Sequence, residues 1–369
     1  MSFAVKTSIT QCADFSTFLA QWNVGKGDLI ITNEYVIAPH MGGKPVPCDT
    51  LFQEKYGSGE PSDEMVDAML AAAAGKEYNR IIAIGGGTVI DISKLFVFGD
   101  GLRCEEIFEK GATLPRRRQL VILPTTCGTG SEVTNISIIE FKTKHTKLGL
   151  ATPSLIADEA VLVPTLLATL PYNVFAASSI DALIHATESY VSPKADYLTR
   201  AMAKGAMDLI IHGYQKMVAA GKEKTLPDNL GEFHAASTMA GIAFGNAGVG
   251  AVHALAYPIG AIYHVPHGDA NYMVFQAVFA AYSALGANLS QVEAALGDSL
   301  GCKAGEVWKE LFALIDKVLV RKPLRELGVG DKECLEMAES VILNQQRLLV
   351  NNPTELSQAD VADIYRKCV

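Results

Sequence analysis

The chain has 369 residues, a length typical of about two domains, and its 49% hydrophobic and 19% charged residues exclude a disordered chain or a small disulfide-stapled module. A net charge of −9 disfavours nucleic acid and membrane surfaces as partners, and no uninterrupted apolar run reaches the roughly 18 residues of a membrane span. Seven scattered cysteines without a CxxC pair favour a reducing compartment, so we expect a cytoplasmic protein that is neither exported nor anchored.

Short apolar segments alternate with helical stretches up to about residue 165. Each segment has four or five residues bounded by Gly, Pro or charge, which is typical of buried parallel strands. They are 28–32, 80–84, 119–123 and 160–163. Residues 62–76 begin with a serine N-cap, carry acids in the first turn and are rich in Ala, so they are predicted to be helical. The alternation predicts a Rossmann-like α/β dinucleotide-binding domain with a parallel sheet over residues 1–165.

A glycine-rich segment follows the second predicted strand. Gly85, Gly86 and Gly87 lead from RIIAI into Thr88 and a helical pattern that contains Asp91. Such a junction lets a pyrophosphate approach the backbone and meet the free N–H groups of a helix N-terminus. A tight turn without a ligand is the alternative, and the motif is not GxGxxG.

A second polar segment, 123–132 (LPTTCGTGSE), follows the third strand. Its hydroxyls, among them those of Thr125 and Thr126, suit ribose and phosphate oxygens, although an ordinary polar loop would have the same composition. Both segments follow strands at their carboxyl ends, where doubly wound sheets bind nucleotides. The pair is stronger evidence for a nucleotide site than either segment alone.

Strand patterns stop after Pro164, and residues 166–369 are predicted to form an all-helical domain. The predicted helices include 172–190, 197–219, 229–245, 307–319 and a terminal one at 360–369. Pro164 and Pro171 bracket a short connector, where we expect a hinge beside a ligand-binding cleft.

Asp181 and His185 are four residues apart, on one face of the first of these helices, among apolar neighbours. A hydrogen-bonded core pair is one explanation, and a pair of metal ligands is the other. Farther along, His253 and His267 flank Pro258, Gly260 and Pro266, which are expected to break the helix so that the two imidazoles converge from a helix and a loop. Together the four side chains would suit Fe(II) or Zn(II).

At this point the sequence resembles the iron-containing (group III) alcohol dehydrogenase family, through GGGTVID, TTCGTGSE, the D-x3-H helix and H-x13-H-G. The resemblance runs through essentially the whole chain. It implies NAD as cofactor and Asp181, His185, His253 and His267 as metal ligands. It also implies a set of cofactor contacts: Gly86, Gly87, Thr88, Asp91, Thr125, Thr126 and Lys147. In the implied reaction the metal acts as a Lewis acid on an alcohol oxygen while hydride passes to the cofactor.

Two positions depart from the family pattern. Many relatives carry a proton-relaying histidine four residues after the third ligand, and this chain has Tyr257 there, so the proton could pass through Tyr257, His264 or water. Many relatives have Asp at the end of the strand that corresponds to 28–32, and this Asp would bind the adenosine ribose. This chain has Asn33 there, followed by Glu34. NAD is expected, and the sequence does not exclude NADP.

Stretches such as IDALIHATE, YHVPHG and NQQRLLVNN resemble family members that interconvert 4-hydroxybutyrate and succinate semialdehyde. The distal carboxylate of that substrate needs a cationic partner, for which His264 and Arg347 are candidates, although Arg347 could equally be a solvated or subunit-facing charge. Another short-chain alcohol or diol dehydrogenase, a dehydroquinate-synthase-like lyase and a non-catalytic dinucleotide sensor stay open. The expected assembly is a homodimer.

Overall fold

The computed structural model describes residues 3–99, 101–144 and 146–369, apart from the side chains of 222–225 and 227. The chain divides into two compact units, one over Val5–Leu170 and one that holds Pro171–Val369 together with residues 3 and 4. The sequence placed the division at 165/166. The first unit extends to Leu170 because Leu166, in a 3-10 turn at Pro164–Leu167, packs into the core of that unit.

The first unit is built on a six-stranded sheet in which every neighbouring pair of strands is parallel, in the order β1-β8-β5-β4-β2-β3. The strands, together with an antiparallel pair β6 and β7, are β1 Ser8–Gln11, β2 Asp28–Thr32, β3 Asp49–Phe52, β4 Arg80–Gly85, β5 Gln119–Pro124, β6 Ile136–Phe141, β7 Thr146–Ala151 and β8 Glu159–Leu162. The order reverses between β2 and β4, which creates the switch point where such sheets bind ligands. The predicted parallel fold is confirmed.

Helices cover both faces of this sheet. They are α1 Phe15–Gln21, α2 Glu34–Met41, α3 Asp63–Ala73, α4 Gly87–Leu95 and α5 Cys104–Lys110. Along β4, Ile81 packs in the core under α3, α4 and α5, whereas Ile82 packs in the core under α1 and α2. Alternate residues of one strand are therefore buried on opposite faces, which explains why the strands are continuously apolar.

Several strands carry a weak sequence signal. The edge strand β1 is largely exposed, and in β6 buried and half-buried residues alternate, because Ile139 and Phe141 pack into the core while their neighbours face partly outward. The helix predicted at 62–76 is observed as α3, and its N-cap Ser62 accepts a hydrogen bond from the N–H of Met65 at 3.3 Å.

The second unit is helical throughout, as predicted. Its helices are α6 Tyr172–Val191, α7 Tyr197–Ala220, α8 Lys222–Ala247, α9 Ala251–Tyr263, α10 His267–Ala284, α11 Ser290–Leu300, α12 Val307–Val318, α13 Asp331–Asn344, α14 Gln346–Leu349 and α15 Gln358–Cys368. Among the described residues, no single helix is long and apolar enough to cross a membrane. Asp228–Ala247 and α9 reach that length and hydropathy only when they are taken together, and the chain bends by 105° between them.

The prediction of a helix break between His253 and His267 was wrong in its position. Pro258 lies inside α9, which continues to Tyr263, and His267 is the first residue of α10 rather than part of a loop. A proline removes only one helical hydrogen bond, and burial of the neighbouring Ile259 favours the helix at this point. His264, whose φ is 54°, is the left-handed C-cap of α9, and Pro266 is the N-cap of α10.

Candidate metal and cofactor sites

Four side chains predicted as metal ligands come together in the second unit. Asp181 and His185 lie one turn apart on α6, His253 lies in the first turn of α9, and His267 begins α10. One ligand atom from each residue lies within 4.8 Å of the others. Three helices therefore bring one carboxylate and three imidazoles to a single point.

Asp181 lies at the centre of the four. Its carboxylate oxygens are 3.6 Å from Nε2 of His253, 3.9 Å from Nε2 of His267 and 4.0 Å from Nδ1 of His185. A four-coordinate ion with bonds of about 2.1 Å holds its donors roughly 3.4 Å apart, so small side-chain adjustments would complete a coordination shell. Mixed nitrogen and oxygen donors of this kind fit a divalent transition metal.

The imidazole of His253 gives the clearest sign that the cluster fits a cation. Its Nε2 is buried and has no hydrogen-bond partner within the described part of the chain. Its Nδ1 lies 2.6 Å from Oε2 of Glu188, so Nε2 is the nitrogen that faces the cluster. A buried nitrogen without a partner is costly unless it binds something absent from the protein chain itself, and a metal ion would satisfy it.

The charges of the cluster shift two pKa values. Burial opposes ionisation of Asp181, but the surrounding imidazoles, that of His185 first, outweigh burial and hold the pKa of Asp181 well below its usual range. Desolvation lowers the pKa of His253, yet the carboxylates of Asp181 and Glu188 outweigh it and raise that pKa to about 9. Asp181 is thus ionised at neutral pH, as a metal ligand must be.

Other side chains hold the ligands in place. Nδ2 of Asn271, one turn after His267 on α10, donates to Oδ1 of Asp181 at 2.7 Å. The ring of Phe244 on α8 stacks on His185 with centroids 4.4 Å apart. These contacts restrict the rotamers of two ligands before any ion binds.

The cluster is open on one side. Asp181, His185 and His253 are buried, whereas the side chain of His267 is 38% exposed. The ring of Tyr257 lies beside His267, with centroids 6.3 Å apart. Nη2 of Arg347, in α14, lies 3.3 Å from the Tyr257 hydroxyl and donates to it. By contrast, His264 is exposed at the end of α9, and in the described residues it makes no hydrogen bond or ion pair.

In the first unit, the predicted glycine and threonine segments lie side by side at the carboxyl edge of the sheet. Gly85 pairs with Pro124, and the N–H of Thr125 donates to the carbonyl of Gly85 at 3.0 Å. A Cβ atom on Gly86 would lie 3.0 Å from Cγ2 of Thr126. None of Gly85, Gly86 and Gly87 has a positive φ, so close packing, not an unusual backbone conformation, requires glycine there.

The free N–H groups of the first turn of α4 lie at this edge, because the helix begins at Gly87. The hydroxyl of Thr88 donates to the carbonyl of Gly59 at 3.1 Å. Asp91 accepts hydrogen bonds from the Ser131 hydroxyl at 2.7 Å and from the N–H of Ile138 at 3.0 Å. Asp91 therefore ties α4 to the end of the threonine segment and to β6.

Two other residues of the first unit make strong polar contacts. Lys147, on β7, is ion-paired with Glu60. Lys94 is fully buried, and its Nζ donates to Ser131 Oγ at 2.8 Å and to the carbonyl of Ile136 at 2.6 Å. Desolvation lowers the pKa of Lys94 to about 8, which the nearby acids offset only in part. Lys94 thus fixes the chain that follows the threonine segment.

Asn33 follows β2 at the switch point and is buried. Its Nδ2 donates to Oε1 of Gln53 at 3.1 Å and to Oε2 of Glu54 at 3.0 Å, and Oε1 of Glu54 accepts the N–H of Glu34 at 2.7 Å. The carboxylate of Glu54 therefore lies beside Asn33.

Both units of the chain match models of one known protein family. Residues 48–164 match the family described as iron-containing alcohol dehydrogenase, and residues 175–369 match the C-terminal part of the Fe-containing alcohol dehydrogenase family. The chain is 48% identical over 352 residues to 4-hydroxybutyrate dehydrogenase of Clostridium kluyveri, covering 95% of each protein. The chain belongs to the iron-containing alcohol dehydrogenase family.

Solved structures of alcohol and aldehyde oxidoreductases share the fold of this family member. A 1,3-propanediol oxidoreductase aligns with a TM-score of 0.83 at 24% identity, over 100% of this chain and 99% of the other. A sulfoacetaldehyde reductase from Bifidobacterium kashiwanohense in complex with NAD+ aligns with a TM-score of 0.83 at 19% identity, over 100% and 98%. The predictions of the family and of an alcohol dehydrogenase are confirmed.

Sequence reasoning missed several residues of these sites, among them Glu188, Asn271 and Glu54. A signal for Glu188 was present, because positions 181, 185 and 188 share one face of a helix and a buried carboxylate needs partners. Asn271 follows His267 by one turn, a spacing that predicts proximity. Glu54 had no comparable signal, since its contact with Asn33 joins residues from two different segments.

Proposed function

We propose that the protein is a metal-dependent dehydrogenase that transfers hydride between NAD and a primary alcohol, with 4-hydroxybutyrate and succinate semialdehyde as the substrate pair. The observation that carries the proposal is the group of four ligand atoms within 4.8 Å, with the buried Nε2 of His253 facing it. The 48% identity to 4-hydroxybutyrate dehydrogenase over 95% of both chains supports the substrate.

A divalent metal, Fe(II) or Zn(II), would supply Lewis acidity toward the alcohol oxygen when bound by Asp181, His185, His253 and His267. The exposed side of His267 is the side from which a substrate can approach. Tyr257 lies next to that side, so we assign its hydroxyl to relaying the alcohol proton: the phenol oxygen accepts that proton as the phenol releases its own to water. His264 has less support for this role because it is exposed and has no described polar partner.

For the cofactor, we propose that the N–H groups at Gly86, Gly87 and Thr88 bind the pyrophosphate, with Thr125 and Thr126 beside it. Asp91 and Lys147 would contribute mainly by shaping this edge, since each has a strong partner in the first unit. The carboxylate of Glu54 beside Asn33 would repel a 2′-phosphate, which favours NAD over NADP.

We further propose that Arg347 recognises the distal carboxylate of the substrate. Its guanidinium is exposed and lies 5.9 Å from the centre of the Tyr257 ring, which in turn lies beside His267. A guanidinium can bind a carboxylate through two parallel hydrogen bonds, whereas butan-1-ol has no carboxylate for it to bind.

The test is NADH formation with 4-hydroxybutyrate and with butan-1-ol, measured on enzyme loaded with iron or zinc. Net NADH formation separates a dehydrogenase from a lyase or a non-catalytic dinucleotide-binding protein. Arg347→Gln should raise the KM for 4-hydroxybutyrate by about 10-fold or more, since a hydrogen bond to a charged group contributes roughly 1.5–3 kcal/mol. Arg325→Gln is the control. It removes the same charge from an arginine that donates to the carbonyl of Val369 and makes no hydrogen bond with Tyr257 in the described residues. Equal effects on both substrates would contradict carboxylate recognition by Arg347.

We propose a cytoplasmic location because all seven cysteines are free thiols, and a homodimer remains a prediction that a mass measurement in solution can test.

A further inference from the structure

We propose that Glu188, which is not one of the four ligands, positions His253 for metal binding. Glu188 lies on α6, two turns after Asp181, and is only 2% exposed. Its Oε2 is 2.6 Å from Nδ1 of His253, and its Oε1 accepts the N–H of Val252 at 2.7 Å.

The first contact fixes which nitrogen of His253 carries the proton. An ionised carboxylate only accepts hydrogen bonds, so Nδ1 must be the donor. When a cation displaces the proton of Nε2, the lone pair lies on this nitrogen, which is 3.6 Å from Asp181. Glu188 therefore selects the tautomer and the ring orientation that a cation in the cluster requires.

The second contact fixes the backbone that carries the ligand. The N-cap of α9 is Gly250, which has no side chain, so the N–H groups of the first turn need other acceptors. Glu188 accepts from Val252, and the hydroxyl of Tyr282 accepts from Ala251 at 3.3 Å. Both residues stabilise the start of α9, but only Glu188 also binds the imidazole of His253.

A glutamine at position 188 could not reproduce both contacts. Its amide has one acceptor oxygen and one donor nitrogen, whereas His253 Nδ1 and the N–H of Val252 each require an acceptor. Glu188→Gln is nearly isosteric. It therefore removes one of the two hydrogen bonds to His253 and Val252 with almost no change in the volume of the side chain. Tyr282→Phe is the matched control, because it removes a buried hydrogen bond to the same helix turn without touching a ligand.

This inference rests on the metal site of the proposed function and not on the substrate assignment. The full-length protein is freed of metal with a chelator, and zinc affinity is measured by competition with a coloured chelator. We expect about 10- to 100-fold weaker zinc binding in Glu188→Gln and a change of less than about threefold in Tyr282→Phe. Wild-type affinity in Glu188→Gln would overturn the proposal, as would an equal loss in Tyr282→Phe. A wild-type protein that binds no zinc would overturn the metal site itself, and the role of Glu188 with it.

A second measurement needs no variant at position 188. In zinc-loaded wild-type protein labelled with ¹⁵N-histidine, long-range ¹H–¹⁵N spectra report the tautomer of each ring, and His253→Gln identifies the His253 signals. We expect a proton on Nδ1 of His253 and the metal on Nε2. Metal on Nδ1 would overturn the proposal.

Discussion

Asn271 donates a hydrogen bond from Nδ2 to Oδ1 of Asp181 at 2.7 Å, and both side chains are buried. The same Nδ2 lies 3.2 Å from Nε2 of His267. A neutral amide thus joins a ligand of α6 to a ligand of α10. Asn271 holds Oδ1 of Asp181, which is also the oxygen nearest Nε2 of His253 and Nε2 of His267.

Replacing Asn271 should weaken metal binding. Asn271→Leu keeps a similar volume but removes the donor to Asp181, so we expect about 10-fold lower zinc affinity in a chelator competition. Thr187→Val is a suitable control, because Thr187 is a buried residue of α6 whose hydroxyl donates to the carbonyl of Leu183, away from the ligands. Unchanged affinity in Asn271→Leu would show that Asp181 is held without this amide.

Cofactor choice should depend on Glu54. Glu54→Gln removes the negative charge beside Asn33, so kcat/KM for NADP should rise relative to that for NAD by about 10-fold, the effect of roughly 1.4 kcal/mol. Glu77→Gln is the control. It makes the same change in net charge, but Glu77 lies just before β4, at the amino ends of the strands and not at their carboxyl ends. If the NADP to NAD ratio moves equally in both variants, the charge of Glu54 does not select the cofactor.

The sequence predicted those parts of the molecule whose signal lies in consecutive residues. The bounds of β2 agree because a fully buried strand is continuously apolar and ends at a polar residue. The edge strands and the β6–β7 hairpin were missed because half-buried strands mix polar and apolar residues. The four residues of the metal cluster were predicted from spacing, whereas the continuity of α9 through Pro258 depends on tertiary packing that a local pattern does not contain.

Buried Lys94 should make stability depend on pH. Its pKa is lowered from 10.5 to about 8 in the folded state, so between these values the unfolded chain binds more protons and folding is favoured as pH rises. The contribution of Lys94 to the free energy of unfolding is highest above pH 10.5, where Lys94 is neutral in both states. It decreases as pH falls toward 8, because the unfolded chain then binds a proton that the buried amine does not. The free energy of unfolding of wild type minus that of Lys94→Met should increase by about 2 kcal/mol from pH 8 to pH 10, measured by urea denaturation. A difference that is constant with pH would contradict the lowered pKa.

Tyr257 should affect the chemical step. Tyr257→Phe removes the hydroxyl beside His267, and we expect kcat to fall by about 100-fold, the typical contribution of a positioned proton-transfer group. Tyr257→His, which restores the residue type of many relatives, should retain more activity than Tyr257→Phe. A larger loss in His264→Gln than in Tyr257→Phe would instead assign the proton route to His264.

The most direct test of the metal site is the metal content of purified wild type and His267→Ala, measured together with turnover. His267 supplies one of four ligands and forms the open side of the cluster, so its loss should reduce both retention and activity. We predict one equivalent of iron or zinc per wild-type chain, and almost no metal and no turnover in His267→Ala. Full turnover by metal-free His267→Ala would contradict the account.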